Sequence, residues 1–462
     1  MLAAIAGFHL SPCHAGEPAR DVGTVAEDYV GIALQGNLAL QGQQLEVQRA
    51  EAALDAARAR FLPELSLQAR YTRADGGREI DLPIGTLLNP AYQTLNELLA
   101  AHGEPPRFSP FPDQTIQFQR EREQDTRLTL RQPLYQPAIP AAARAQRELL
   151  RGARAGTQVV EQRLRRDVWL GYLEWLKALR AREVLTASAE VLAENLRVNE
   201  SLFANGRITE DQVLRARTEQ LALAQQLRAT DDQIGQARSY VNFLLNRPLD
   251  TPLEDAQLPS SVAVGTRADV QGARPELAQA DALGAAAGAQ HRAARAARWP
   301  SLSLGVDAGT QGEDWDFGPE YNYVAASLLF TWKLFDGGAT RAEAERARIA
   351  ARQARLRQES LLREVLLEQQ QAGDRLAAAV DSIGVAEARA ETARAMLRIA
   401  ERKRDAGAIS QVEFLDARNA LTAAELALNV NRFELLQRRI ELQYAAGDVP
   451  GEPAAANLES AP

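Results

Sequence analysis

Phe61-Leu62-Pro63-Glu64-Leu65-Ser66-Leu67 closes a run rich in Ala and Arg and turns, at a proline, into strict alternation of apolar and polar residues. The change recurs at Trp299-Pro300-Ser301-Leu302-Ser303-Leu304, where Pro300 stands 237 residues after Pro63 (300 − 63). Upstream, Asn37-Leu38-Ala39-Leu40 pairs with Arg274-Pro275-Glu276-Leu277 at that same spacing. Downstream the offset shortens: Leu134-Tyr135 against Leu334-Phe335 is 200 residues, and Gly206 against Gly407 is 201. The chain reads as two copies of helix, β-hairpin, long helix and return helix, the first with about 37 extra residues in its hairpin. A period this long is duplication of a whole unit, because solenoid repeats recur every ~20–50 residues.

In chain order, residues 24–60 carry Ala and Leu at helical spacing and predict one helix. Pro63 ends it. Leu65, Leu67, Ala69 and Tyr71 then alternate with Glu64, Ser66, Gln68, Arg70 and Thr72, so one face of the strand is polar and the other apolar. Residues 74–115, with six prolines, predict a long connection holding a short helix near Tyr92–Leu99, and a second strand follows over 116–132. A helix from about Pro140 to Phe203 has no internal proline, Gly206 breaks it, and a return helix runs to Asn246. A helix over 274–298 leads into the second hairpin, whose strands alternate Leu302, Leu304, Val306 and Ala308, then Val324, Ala326, Leu328, Phe330 and Trp332. Asp336-Gly337-Gly338 opens a second long helix, Gly407 turns it, and a return helix ends at Tyr444. At 1.5 Å rise per residue each long helix spans roughly 100 Å. A return helix reaches only about 60 Å and the helix before a hairpin about 40–50 Å, so two shorter helices end to end match one long one. That predicts a rod with both hairpins at one end.

Composition narrows the function classes. The net charge is −8, with Arg interleaved among Glu and Asp, which excludes the clustered basic face of a nucleic-acid binder. The four histidines, His9, His14, His102 and His291, have no metal-ligand spacing, and Cys13 is the single cysteine, so neither a metal centre nor an internal disulfide is expected. No phosphate loop, nucleophile elbow or paired-carboxylate arrangement stands out, and no enzyme activity or cofactor is expected. Residues 1–15 read as the apolar part and cleavage site of a secretory signal, cut after Ala15. No apolar run reaches 18 residues, so any membrane span must be a barrel strand.

Alternation alone fits the half-buried sheet of a soluble domain. Against that, four strands enclose little core, and no further β segment is expected to cover them. Aromatics gather near the strand ends: Phe61 and Tyr71 in one hairpin, and Trp299, Trp315, Tyr321, Tyr323 and Trp332 in the other. Such girdles mark the interfaces of outer-membrane barrels. Four strands do not close a pore, so oligomerisation is implied. Taken with Gln132-Pro133-Leu134-Tyr135, Lys333-Leu334-Phe335-Asp336-Gly337-Gly338 and the turns at Gly206 and Gly407, the ordered motifs resemble the TolC family of outer-membrane efflux and secretion ducts over residues 24–447.

The resemblance implies a mainly α fold with a small β part: a homotrimeric α-helical periplasmic tunnel capped by a shared twelve-stranded β-barrel. It divides the chain into a signal peptide (1–15), a first repeat (16–247), an equatorial linker (248–273), a second repeat (274–447) and a mobile tail (448–462). It implies a protein of the Gram-negative outer membrane that meets outer-membrane lipid and takes a periplasmic adaptor and an inner-membrane pump as partners. The tip turns Gly206-Arg207-Ile208-Thr209 and Gly407-Ala408-Ile409-Ser410 would contact the adaptor and close the tunnel at rest. The family's two gate acids fall on Glu413 and Asp416, with Asp211 in the first repeat beside Gln212. The gate arginine position falls on Ile409 and the gate tyrosine on Arg404, so the locking network differs here. The competing readings are a periplasmic adaptor, which would need soluble β-domains, and a structural coiled-coil rod. Nothing in the sequence selects a small molecule, a metal ion or a protein as cargo.

Overall fold

A computed structural model describes residues 20–118, 120–258, 274–313, 315 and 318–451. The signal segment 1–15, residues 259–273 of the linker and residues 452–462 of the tail lie outside the described residues. The fold is mainly helical with a small β part. In order the elements are α1 (Val22–Gly36), α2 (Leu38–Ala59), β1 (Glu64–Arg73), β2 (Glu79–Leu82), α3 (Ile84–Ala101), β3 (Gln114–Gln117) and β4 (Arg122–Tyr135). Then come α4 (Ala138–Ala204), α5 (Glu210–Leu244), α6 (Pro275–Ala296), β5 (Ser301–Gly312), β6 (Asn322–Thr331), α7 (Ala339–Asp405) and α8 (Gln411–Ala446). α4 and α7 have 67 residues each.

The chain forms two compact units. Of the described residues, one comprises 20–52, 146–258, 274–288 and 349–451, and the other those within 53–145 and 289–348.

The first unit is helical. Its largest apolar cluster joins α1 (Val25, Val30), α4 (Val168, Tyr172, Leu173), α5 (Val241, Leu244) and α8 (Phe433, Ile440). A second cluster packs Leu185 and Leu192 of α4, Leu223 of α5, Ala390 and Leu397 of α7, and Phe414 and Leu421 of α8. Small Ala residues at the contacts let the backbones approach, and the large side chains fill the remaining space at crystal-like density.

Residues 24–60 form two helices in place of the single expected one. Asn37 is the reason. Its backbone is extended, its N–H closes α1 on Ala33, and its Oδ1 accepts from the N–H groups of Ala39 and Leu40 at the start of α2. A side-chain amide that caps an incoming helix supplies an alternative to continuing the old one. The Asn37 Nδ2 donates to the Leu244 carbonyl, while Asn246 Nδ2 donates to the Gly36 carbonyl. Two asparagines thus satisfy each other's helix ends. At the second long helix, Asp336 accepts from the N–H groups of Gly338 and Thr340 and holds α7 at its start. Those bonds, led by the one from the Thr340 hydroxyl, keep its carboxyl below the ordinary range.

The second unit holds a four-stranded antiparallel sheet in the order β1-β4-β5-β6. The junction between the hairpins is β4 with β5, in register from Gln124 opposite Gly312 to Gln132 opposite Leu304. The connection 74–115 departs from the expected short helix in a loop. α3 has 18 residues, despite Pro90 inside it, and β2 pairs with β3 as a separate two-stranded ribbon. That pair is β structure beyond the four strands, which the sequence reading excluded. The second strand expected over 116–132 is split, with β3 ending at Gln117 and β4 beginning at Arg122.

Candidate functional site

Register decides which sheet residues share a face, because directly opposed residues point the same way. One face carries the rows Leu65–Leu130–Val306–Ala326 and Leu67–Leu128–Ala308–Val324. The other carries Ser66–Thr129–Asp307–Ala325 and Gln68–Arg127–Gly309–Tyr323, with Asp125 between Arg70 and Gln311. On the polar face the side chains satisfy one another. Thr129 donates to Asp307 at 2.5 Å, Arg127 to Gln68 at 3.3 Å, and Tyr323 to Asp125 at 3.4 Å, with Arg127 and Arg70 also beside Asp125. Gly309 lets Arg127 lie close, since a Cβ there would sit 2.7 Å from the arginine Cβ.

The apolar face is the exposed one. Leu67 is 72% and Val324 78% accessible, with Leu65, Leu328 and Phe330 similarly open. A soluble half-buried sheet has the reverse pattern, apolar residues covered and polar residues in water. Among the described residues, β1 and β6 have one strand partner each, so two ten-residue strands keep a free edge.

Aromatics occupy both ends of this sheet. Trp299 and Trp332 lie at the end where Ser301 pairs with Thr331, and both are largely exposed; the Trp332 indole donates to the Arg298 carbonyl. At the opposite end Tyr71 stacks on Trp315, with ring centres 5.4 Å apart, and Tyr321 and Tyr323 stand near the Thr310–Asn322 pair. The nine steps from Tyr323 to Trp332 rise about 30 Å along the strand, and a barrel tilt of 35–45° reduces that to roughly 21–25 Å. That is the height of an outer-membrane apolar band.

In the helical unit the turns after α4 and α7 have one construction. Gly206 and Gly407 adopt left-handed backbone, φ 67° and 66°. Arg207 N–H bonds the Leu202 carbonyl, and Ala408 N–H the Lys403 carbonyl, each closing the helix end six residues to one. Ile208 and Ile409 turn inward to half-burial, while Gly206, Arg207, Thr209, Gly407, Ala408 and Ser410 are exposed. Thr209 and Ser410 are the N-caps that follow, and the Ser410 hydroxyl accepts from Glu413 N–H at 3.3 Å.

Glu413 and Asp416 are exposed, one turn apart on α8, and among the described residues neither carboxylate is hydrogen-bonded or ion-paired. Asp211 is exposed at the head of a different helix, α5. Helix-start acids such as Asp211 and Glu413 gain from the macrodipole. Asp416 lies beyond that first turn, so this explanation does not extend to it.

The sequence reading missed a polar seam just inside these turns. Gln411 of α8 donates to Asn195 of α4 at 2.6 Å, and Asn199 donates to the same Oδ1 at 2.9 Å, with both asparagines buried. Ser188 meets Thr422 at 3.0 Å, and Arg418 donates to the Ala187 carbonyl. Burial outweighs the pull of Glu425 and Glu401 and pushes the Arg418 guanidinium below its ordinary value. Arg404 lies over the fully buried Phe414 ring, 4.3 Å from its centre. Asn195 and Asn199 at i, i+4 were the available signal, being weak helix formers on a long helix.

Long helices in one unit and, in the other, a sheet whose apolar face is the exposed one define a class, the outer-membrane channel fold. The chain belongs to the outer membrane efflux protein family, whose pattern matches residues 30–247 and 268–448. Its place is the outer membrane of a Gram-negative bacterium. The toluene efflux pump outer membrane protein TtgC of Pseudomonas putida is 29% identical over 211 residues, 43% of this chain and 42% of TtgC. The matched stretch thus spans about two fifths of that relative. The pyoverdine export outer membrane protein OpmQ of Pseudomonas aeruginosa is 26% identical over 323 residues, 66% of each chain. Among solved structures, the Campylobacter jejuni CmeC outer membrane channel superposes with a TM-score of 0.78 at 16% identity, over 97% of this chain and 93% of that one.

Proposed function

We propose that this chain is the outer-membrane channel component of a tripartite efflux or type I secretion system. Three copies each contribute four strands to one twelve-stranded barrel, and the helices continue as a periplasmic tunnel. The observation that carries the reading is the inverted sheet: apolar side chains outward, polar side chains paired with one another, and both edge strands open. In lipid an open sheet edge leaves N–H and C=O groups unsatisfied, so the edges demand closure, and a second and third copy supply it. The family match in two stretches supports the division into two repeats, 16–247 and 274–447, joined by an equatorial linker.

The mechanism is one of access and charge. The turns at Gly206–Thr209 and Gly407–Ser410 meet a periplasmic adaptor, and Glu413 and Asp416, repeated by threefold symmetry, form carboxylate rings that favour cations at the closed tip. The α4–α8 seam through Asn195 and Gln411 holds the tip shut until the adaptor and an inner-membrane pump dock. The relatives are named for different cargoes, toluene and pyoverdine, so no cargo is carried over to this chain.

The test is extraction and mass. The chain should leave membranes only with detergent and run as a trimer in it. Release by high salt as a monomer would favour the adaptor or rod reading.

A further inference from the structure

We infer that α3 is a self-association element: in the assembled protein three copies pack through one apolar seam into a collar on the loop side of the barrel. The inference rests on the trimeric reading above and adds a contact which that reading does not require.

One face of α3 is already occupied. Asn89 and Asn96, two turns apart, clamp the returning chain: Asn89 exchanges bonds with the backbone of Phe111, and Asn96 with those of Phe108 and Arg107. Tyr92 sits between the Phe108 and Phe111 rings, and Asp113 closes the start of the helix on Thr86. The helix is thereby held rigidly against its own strap. The open face runs on from that clamp: Leu88 and Leu95 neighbour Tyr92 on the helix, Leu87 and Leu98 lie farther round, and all four are exposed.

The spacing of that open face identifies the occupant. Ile84, Leu88, Ala91, Leu95 and Leu98 follow one another by four, three, four and three residues, the heptad seam of helices that pack on their own kind. Pro90 falls off the seam, where its ring disturbs no contact. The charge pattern opposes the membrane surface as occupant. α3 has no Lys or Arg and a single charge, Glu97, and residues 74–121 hold seven acids against three arginines. Helices that lie on anionic lipid are rich in cations. Position also favours a second copy. The β1–β4 ladder runs to Arg73 opposite Arg122, and Ala74 N–H bonds the Glu121 carbonyl, so the insertion emerges directly from the edge strand that a neighbouring copy must pair. A seam of about 21 Å is short for a free coiled coil. Tethered to an assembled barrel, it forms at high effective concentration.

Disulfide trapping in the full-length, detergent-purified protein tests this, in a Cys13→Ser background. Leu95→Cys on the seam and Glu97→Cys off it are compared after mild oxidation, alongside the particle mass. The expected result is a trimer in which most Leu95→Cys chains run as linked dimers on a denaturing gel and Glu97→Cys chains do not. Leu98→Cys should behave as Leu95→Cys. A trimer with no link at Leu95 and Leu98, or with equal linking at Glu97, overturns the collar and leaves the duct reading intact. So does a trimer in which an environment-sensitive dye on Leu95→Cys shifts only when anionic vesicles are added, since lipid would then hold this face. A particle that is not a trimer overturns the duct reading itself, and the collar with it.

Discussion

Arg274 grips Glu276 with two parallel bonds, Nε to Oε2 at 3.1 Å and Nη2 to Oε1 at 3.2 Å. Its remaining nitrogen, Nη1, donates to Glu368 of α7 at 3.1 Å and to the Ala445 carbonyl of α8 at 3.2 Å. The ring of Tyr444 receives two guanidinium groups, Arg274 at 4.7 Å and Arg166 at 4.3 Å, and its hydroxyl donates back to Glu276. One buried arginine therefore ties the start of α6 to α7 and α8. Removing one partner of such a set leaves an uncompensated buried charge. Arg274→Ala should cost about 3–5 kcal/mol of unfolding free energy, read from denaturant melts in detergent. A change under 1 kcal/mol would mean that the cluster is incidental.

The same site sets a pH dependence. Burial works to raise the Glu276 carboxyl, but the bonds from Arg274, its own backbone N–H and Tyr444 outweigh it, and the group titrates below its ordinary value. A depressed folded-state carboxyl contributes stability that is present above the unfolded pKa, about 4.3, and is lost as pH falls through the folded value. Wild type should therefore lose stability below about pH 4.3 more steeply than Glu276→Gln. Parallel acid melts of the two proteins would contradict this.

Asn37 and Asn246 make a smaller, separable test. Asn37→Ala removes a helix cap and the bond to the Leu244 carbonyl, for an expected loss of about 1–2 kcal/mol. Asn246 holds positive φ at 53°, so Asn246→Gly keeps the backbone and should cost less than Asn246→Ala. Equal losses for the two would show that conformation is not what distinguishes them.

The tip makes a functional prediction. Phe414→Ala empties a fully buried site beneath Arg404, costing about 3–5 kcal/mol locally, and should raise resting conductance by loosening the turn. Glu413→Ala with Asp416→Ala should cost no more than the macrodipole contribution of Glu413, about 0.3–1 kcal/mol, because both side chains are exposed, and should lower cation preference. If preference stays the same in the double variant, these carboxylates do not line the constriction.

The helix breaks at Gly206 and Gly407 and the strand entries at Pro63 and Pro300 were legible in sequence, because glycine and proline act locally on φ and on the N–H donor. The break at Asn37 was hidden, since apolar spacing carries on through it while the deciding bonds reach Leu244 and Asn246, more than 200 residues away. α3 was underestimated because Pro83 and Pro90 read as loop punctuation, whereas the strap bonded by Asn89 and Asn96 sustains the helix. At the site, the turn residues could be named but the Asn195–Gln411 seam could not. Its partners sit on helices whose pairing only the fold supplies.

Planar-bilayer conductance of the detergent-purified protein tests the central claim most directly. The account predicts insertion as single units with small, cation-preferring steps, the signature of a trimeric barrel leading to a tip closed by carboxylates. A protein that never inserts and remains soluble without detergent would contradict it.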